Sequence, residues 1–330
     1  MVSRMKWLLA ALCIASAAMA AASVKQEAGF DAGWRAYEAS DYAKAIQVLQ
    51  AAAAKEPQNG ELQLLLAKSY LELQQHDPAI KSAENAVAID PRNSIYHEWL
   101  GRAYGEKADH ANWFSAISFA KKTRKEFETA VQLDGKNFSA RQALIEFDCS
   151  APGLVGGGEE KAVPQIKQLA TMDAAEGHYA AGNCRRQKKD YAVADEEFAK
   201  ALESNPKSAE LIYDIGDYEV KRGQPERLLA VADLGESVAP GDPRGKFYRG
   251  VALVLKKENP EGAERLLREY VKRAPTRSGY PRPAAAHAWL GRLFEDQSRT
   301  EDAAKEFESA LKLDPKNKMA QEALKRLKKG

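Results

Sequence analysis

The chain has 330 residues, of which 45% are hydrophobic and 29% charged, and its 49 lysine and arginine residues nearly balance its 47 aspartate and glutamate residues. A formal net charge of +2 argues against a nucleic-acid-binding protein, which normally carries a strongly basic face. The length exceeds that of one ordinary compact core, so we expect two domains, one large domain or an elongated array of repeats. Alanine, leucine, lysine and glutamate recur throughout, and this composition predicts helices.

Residues 1–20 are predicted to be a secretory signal peptide. Arg4 and Lys6 precede an apolar run over residues 7–14, and Ala18 and Ala20 supply the small residues that signal peptidase requires. We expect cleavage after Ala20, or alternatively after Ala22, and a neutral mature chain that is periplasmic or secreted. The alternative is an uncleaved anchor, although the run is short for a membrane span, which needs about 20 apolar residues.

A period of 34 residues begins after the N-terminal segment. Pro57 and Pro91 lie 34 residues apart, and each ends a segment with small and apolar residues at matching places. Self-similarity at such a period indicates a repeat protein. Eight segments follow the pattern, and the fourth, with Leu144 and Ile145, is the weakest. In the other seven, a small residue recurs in the first helix at Gly33, Ala67, Gly101, Gly182, Gly216, Gly250 and Gly291.

The spacing within each segment predicts a pair of packed helices. In the first helix the apolar and small places fall at i, i+1 and i+4, which is one face of a helix, and the small residue allows a second helix to approach closely. The proline that closes the segment cannot continue the second helix but suits the start of the next one. Because one such hairpin cannot bury its own apolar face, neighbouring hairpins are expected to stack.

The pattern resembles the tetratricopeptide repeat family, and in particular exported bacterial proteins of that family. The resemblance extends over nearly everything after residue 26. It implies an all-α fold, a right-handed α-α superhelix (solenoid) of about eight helical hairpins with a capping helix at the C-terminus. The third, fourth and seventh segments depart from the family pattern, so their local geometry is less well defined by it.

The expected organisation along the chain follows from these segments. Repeats one to seven cover residues 26–275, with an insertion at 108–122 and a glycine-rich loop at 151–158. A linker over 276–283 contains Pro281 and Pro283, and residues 284–330 hold the last repeat and the capping helix. The linker is a candidate hinge, and if it is one, limited proteolysis should cut first near Arg277 or Tyr280.

The insertion in the third repeat contains four large apolar residues at spacings that suit one helical face, namely Trp113, Phe114, Ile117 and Phe119. The sequence leaves two interpretations open. An elongated hairpin buries them as additional core, or they form an exposed contact patch.

The glycine-rich loop is predicted to be a structural or partner-contacting hairpin loop. A phosphate-binding loop would need lysine and then serine or threonine directly after its last glycine, but Glu159 and Glu160 stand there. Acidic residues at that helix start would repel a phosphate.

No motif in the sequence indicates catalysis, a cofactor or a metal site, so we predict a protein that is not an enzyme. The pair His97 and Glu98 lacks the second histidine that a metalloprotease helix requires, and no Gly-x-Ser-x-Gly segment is found. Apart from Cys13 in the signal peptide, the cysteines are Cys149 and Cys184, which fall on first helices of neighbouring repeats. They could form a disulfide in an oxidising compartment, or they are buried thiols whose Cβ atoms point apart.

The family resemblance also implies where a partner would bind. Tetratricopeptide repeats receive a peptide in a concave groove, which is lined by side chains at the second, fifth, ninth, twelfth and thirteenth places of each repeat. In this chain the register gives Trp34, Tyr37, Lys68, Arg102, Asn183, Arg186, Tyr213, Lys221 and Arg292.

The sequence therefore predicts a non-catalytic scaffold or adaptor of the bacterial cell envelope that binds a segment of a partner protein. A module that binds glycan or peptidoglycan is the alternative, and an enzyme is a third class. No nucleic-acid partner is expected, and no stable membrane insertion after the signal is cleaved.

Overall fold

The computed structural model describes residues 29–327, and the predicted signal peptide lies outside them. Every regular element in this range is a helix, so the predicted all-α fold is confirmed. The chain divides into two compact units, one ending at Gly158 and the other beginning at Glu159.

The first unit contains seven α-helices within its described residues. They are α1 (29–38), α2 (Tyr42–Ala53), α3 (Gly60–Glu72), α4 (His76–Ile89), α5 (Ser94–Asp109), α6 (Trp113–Leu133) and α7 (Phe138–Ser150), followed by a 3-10 turn at Gly153–Val155. Successive helices pack against each other, and α5 also touches both α3 and α7. The helices that begin the second, third and fourth repeats therefore lie side by side.

The second unit contains ten α-helices up to residue 327. They are α8 (Glu159–Met172), α9 (Ala174–Gln187), α10 (Tyr191–Glu203), α11 (Ala209–Arg222), α12 (Pro225–Val238), α13 (Pro243–Lys256), α14 (Pro260–Arg273), α15 (Pro283–Asp296), α16 (Thr300–Leu313) and α17 (Lys318–Leu327). Helices α11, α13, α15 and α17 each touch the next in that series, so first helices adjoin one another here as well.

Capping side chains fix where the first helices begin. Asn59, Asn93 and Asn137 precede α3, α5 and α7, and each side chain accepts a hydrogen bond from a backbone N–H of the first turn. An asparagine at this place satisfies a donor that has no partner within the helix. Helices α12 to α15 begin with proline, whose missing N–H is not needed at the first helical position.

The glycine-rich loop folds back onto the first unit. The N–H of Gly158 donates to the backbone oxygen of Asp148 at 2.8 Å, and Val155 is buried. Gly156 has φ +98° and lies against Arg124, whose Nε donates to the Asp148 carboxylate at 2.9 Å. The next helix, α8, belongs to the second unit, where it packs on α9.

The insertion in the third repeat lengthens the hairpin of α5 and α6. It contains both buried and exposed apolar residues, the two interpretations that the sequence left open. Phe119 is half-buried, with its ring centroid 6.0 Å from that of Tyr104. Trp113 and Phe114, at the start of α6, are 68% and 84% exposed. Part of the insertion is therefore core, and its tip is an exposed apolar patch.

The segment 276–283 is held by contacts within the second unit. Arg244 donates a hydrogen bond to the backbone oxygen of Gly279 at 3.2 Å. The hydroxyl of Tyr270 donates one to the backbone oxygen of Pro281 at 2.5 Å. One apolar core extends from Ala194 to Ala323, on both sides of the segment. These contacts argue against a hinge, which stays a prediction for proteolysis to test.

Candidate partner-binding surfaces

A connected polar surface of the first unit centres on Trp99, and we call it the Trp99 surface. It consists of Lys68 on α3, Glu98, Trp99 and Arg102 on α5, and Ser139 on α7. The Lys68 ammonium lies 4.5 Å from the centroid of the Trp99 ring, and the Arg102 guanidinium carbon lies 5.5 Å from it. Both distances are within the range of a cation–π attraction.

A buried carboxylate orients the arginine of this surface. Glu98 is 5% exposed, and its Oε1 accepts hydrogen bonds from Arg102 Nε at 3.0 Å and from Ser139 Oγ at 2.6 Å. Arg102 Nη2 also donates to Ser139 Oγ at 2.9 Å. The Arg102 side chain is nevertheless 39% exposed, so a pre-positioned guanidinium remains accessible to a ligand.

Lys68 is less hydrated than an ordinary surface lysine. Burial lowers the pKa of its ammonium, while Glu98 and Glu61 act in the opposite direction. A partly desolvated cation interacts more strongly with an anionic ligand than one in bulk water does. Lys68 on α3 and Arg102 on α5 thus place two cations next to each other, one from the second repeat and one from the third.

The two aromatic residues predicted on α1 differ in accessibility. Trp34 is 42% exposed and stacks on Phe30 and on Tyr37, with ring centroids 6.4 and 5.9 Å apart. Tyr37 is only 8% exposed, and its hydroxyl donates to Glu72 Oε1 at 3.5 Å. Trp34 is available to a ligand, whereas Tyr37 mainly supports it.

In the second unit, Asp214 links the predicted residue Arg186 to Tyr179. Its Oδ2 accepts from the hydroxyl of Tyr179 at 2.9 Å and from Arg186 Nη1 at 3.5 Å. Burial raises the pKa of the Tyr179 hydroxyl, with the Asp214 charge acting in the same direction. Asn183 is 6% exposed, and its Oδ1 accepts no hydrogen bond from residues 29–327.

The last two predicted residues are exposed but are less connected. Lys221 lies near the C-terminus of α11, and Arg292 on α15 forms an ion pair with Asp296 at 3.4 Å. An exposed pair one helical turn apart contributes little to stability, so Arg292 can exchange this partner for another at low cost.

The prediction that Tyr213 lines a groove is wrong. The residue is 1% exposed, its ring stacks on Tyr248 at 5.5 Å, and the Arg244 guanidinium lies 4.4 Å from its centroid. Gly235 makes room for the ring, because a Cβ atom there would lie 2.5 Å from it. Burial raises the pKa of the Tyr213 hydroxyl to about 12, so this side chain is neutral core.

Three members of the Trp99 surface were not predicted from the sequence. Glu98 and Ser139 occupy lining places of the third and fourth repeats, so the register rule alone could have found them. Trp99 directly precedes Leu100 and Gly101 of the repeat pattern and is not at a lining place. Only the size of its side chain could have marked it as a candidate in the sequence. Its role depends on Lys68, which approaches from the neighbouring helix.

The predicted cysteines are both buried, at 4% and 3% exposure for Cys149 and Cys184. Both are disulfide-bonded, and the bond from one to the other stays a prediction. Within the described helices and loops, no group of three or more histidine, cysteine, aspartate or glutamate residues could hold a metal ion. Between residues 29 and 327, no helix is long and apolar enough to cross a bilayer.

Three sequence models, each described as a tetratricopeptide repeat, match residues 36–103, 175–208 and 253–318. Among solved structures, MamA protein is 21% identical, with 54% of this chain and 91% of that chain covered and a TM-score of 0.41. A tetratricopeptide repeat protein from Parabacteroides merdae is 17% identical, with coverages of 92% and 98% and a TM-score of 0.44. The C-terminal part of a repeat-containing protein from Cytophaga hutchinsonii is 17% identical, with coverages of 89% and 99% and a TM-score of 0.40.

No curated protein sequence matches the chain at a significant level. The family matches fall in both units, and the small residues, capping residues and helix pairs of those regions follow the pattern of the repeat. This chain belongs to the tetratricopeptide repeat family.

Proposed function

We propose that the protein is a non-catalytic scaffold or adaptor of the cell envelope, which binds a segment of a partner protein at the Trp99 surface. The observation that carries the proposal is the linkage of three successive first helices, α3, α5 and α7, through Lys68, Arg102 and Ser139. Tetratricopeptide repeats form a scaffold for protein–protein interaction. The export signal read from residues 1–20 supports the location.

The chemistry of the surface indicates a peptide with acidic side chains. Arg102 can donate to a carboxylate through its exposed N–H groups, and Lys68 adds a second positive charge. Trp99 offers an apolar area that loses little conformational entropy on binding, as is common where interfaces concentrate their binding energy. Both cations are already oriented by their contacts, so binding loses less side-chain conformational entropy.

Photo-crosslinking in the native host tests this proposal. Ile95 is 50% exposed and lies one turn before Trp99 on α5, so a crosslinking residue there reports on the surface without removing its members. The matched control is a crosslinking residue at the exposed Lys81 on α4. We expect one dominant protein adduct at residue 95 and none of that protein at residue 81.

The variant Arg102→Ala should weaken the captured interaction by about tenfold or more, since a charged hydrogen bond contributes roughly 1.5–3 kcal/mol. Its melting temperature is measured alongside, because Glu98 loses a partner. Equal adducts at residues 81 and 95, or an adduct that Arg102→Ala leaves unchanged, would contradict the proposal. Soluble glycan fragments that raise the melting temperature, without any protein adduct, would favour a glycan-binding module instead.

A further inference from the structure

The start of α6 leaves two adjacent aromatic side chains largely exposed. Trp113 is 68% exposed and Phe114 is 84% exposed. Large aromatic residues gain more from burial than any other side chains do, so a monomer seldom leaves two together in water. This feature lies on residues other than the Trp99 surface and does not rest on the function proposed for that surface.

The tip is held firmly by the hairpin beneath it. Asn112 caps α6 by accepting a hydrogen bond from the N–H of Ser115 at 3.1 Å. Below the tip, Phe119 packs near Tyr104, and Lys122 lies 4.9 Å from the Tyr104 ring centroid. The exposed pair is therefore presented by an ordered helix rather than by a loop that could fold inward.

The charge around the tip is mainly positive. Residues 107–125 contain five lysine or arginine residues and a single acidic residue, Asp109, a net charge of +4. The first turn of α6 has no acidic residue. Lys107 is paired with Asp77 at 2.8 Å and Arg124 with Asp148 at 2.9 Å, whereas Lys121 and Lys125 are exposed.

Helical spacing places the apolar and basic residues on one stripe. Phe114, Ile117, Lys121 and Lys125 are separated by three or four residues each, so they share a face of α6. Aromatic side chains at the end of a stripe, followed by lysines with long apolar stems, match the chemistry of a segment that inserts into a lipid headgroup region. The positive charge beside the aromatic pair is complementary to anionic headgroups.

We propose that the α6 tip binds a membrane surface with anionic headgroups, with Trp113 and Phe114 inserted at the interface and Lys121 and Lys125 near the headgroups. The contact is peripheral. It would hold the repeats close to a bilayer independently of any N-terminal anchor.

Vesicle flotation with the processed protein tests the proposal. We expect the protein to float with vesicles of phosphatidylglycerol and phosphatidylcholine and to bind pure phosphatidylcholine less. The double variant Trp113→Ser/Phe114→Ser should lower the partition coefficient by more than about tenfold, because burying an aromatic side chain is worth more than the free energy of one factor of ten. Leu313→Ser, which alters a residue 58% exposed on α16, is the matched control and should leave binding unchanged.

The electrostatic part has a separate readout. Lys121→Gln/Lys125→Gln should reduce binding to the anionic vesicles several-fold for each lysine, as added salt does, and should leave binding to neutral vesicles unchanged. The altered side chains are exposed, so unchanged melting temperatures are expected and are checked.

Three outcomes would overturn the inference. The processed protein could remain unbound at the anionic vesicles, or the aromatic double variant could bind them as well as the parent does. Analytical ultracentrifugation could instead show a dimer that only the aromatic double variant dissociates, without vesicle binding, and the tip would then be covered by a second copy of the chain.

Discussion

At the scale of single residues, the glycine of several first helices is explained by the aromatic ring that it faces. A Cβ atom at Gly101 would lie 2.7 Å from the ring of Phe127, and one at Gly182 or Gly291 would lie 2.6 Å from the ring of the following helix. The ring fills the space that glycine leaves, and the two helices approach closely as a result. Glycine here is selected by packing, since none of these three residues has a positive φ.

The variant Gly101→Ala should lower the free energy of unfolding by about 1–3 kcal/mol, because the added methyl group overpacks a well-filled core. Gly105→Ala, one turn later on α5, is the matched control, since its Cβ would lie 3.6 Å from the nearest atom, on Thr123. We expect that control to raise the stability by about 0.5–1 kcal/mol, because alanine favours a helix over glycine. Chemical denaturation of both variants measures the free energy of unfolding. Equal destabilisation by the two variants would contradict the explanation by overpacking at Gly101.

At the scale of elements, a buried arginine joins α13 to the segment before α15. Arg244 is 3% exposed, and its guanidinium lies 4.4 Å from the ring centroids of both Tyr213 and Tyr280. It forms an ion pair with Asp242 at 2.7 Å and donates to the backbone oxygen of Gly279. A buried cation is tolerated only when charge and hydrogen bonds compensate its lost hydration, and these partners provide both.

Limited trypsin digestion distinguishes an anchored segment from a hinge. We expect the parent protein to resist cleavage at Arg277 as long as Arg244 holds residues 279 and 280, since proteases need a locally unfolded chain. Arg244→Ala should open this site and accelerate its cleavage by about tenfold or more, if the lost contacts stabilise the closed segment by more than 1.4 kcal/mol.

The control for that digestion is Arg249→Ala on α13, the helix of Arg244, which removes an exposed ion pair with Asp233 on α12. It should leave the cleavage rate near that of the parent. Rapid first cleavage of the parent protein by trypsin at Arg277 would restore the hinge that the sequence suggested.

At the scale of the whole molecule, the repeats do not form one uninterrupted compact unit. The division follows the glycine-rich loop, which the hydrogen bond from Gly158 to Asp148 ties to the first unit. The repeat pattern continues on both sides, because each hairpin needs contacts only with its neighbours. Interruption of the pattern in the third and fourth repeats is thus compatible with well-packed repeats before and after it.

The predicted pairing of Cys149 with Cys184 belongs to this scale, because it would close a loop of about 35 residues and stabilise the fold by roughly 3–4 kcal/mol. Peptide mapping of the protein without reducing agent should recover the two cysteines in one crosslinked peptide. Cys149→Ala/Cys184→Ala should lower the free energy of unfolding by that amount in the absence of reductant, and the parent protein with reductant should match it. Two alkylated thiols in the untreated protein would contradict the pairing.

The sequence by itself determined the all-α repeat fold. A period of 34 residues with glycine or alanine and proline at fixed places is a local property, since each hairpin packs on its neighbours in the chain. The family resemblance supplied the lining places, which include Lys68 and Arg102 of the Trp99 surface, and their role in binding stays a prediction.

Exposure was decided only by the tertiary structure. The register treats Tyr213 and Trp34 alike, but Gly235 and Arg244 enclose the first and nothing described covers the second to the same degree. The same holds for the insertion, where the sequence suggested one apolar face but the structure half-buries Phe119 and exposes Phe114. The reason is physical: a helical face is set by local periodicity, whereas burial depends on which side chains of other helices reach that face.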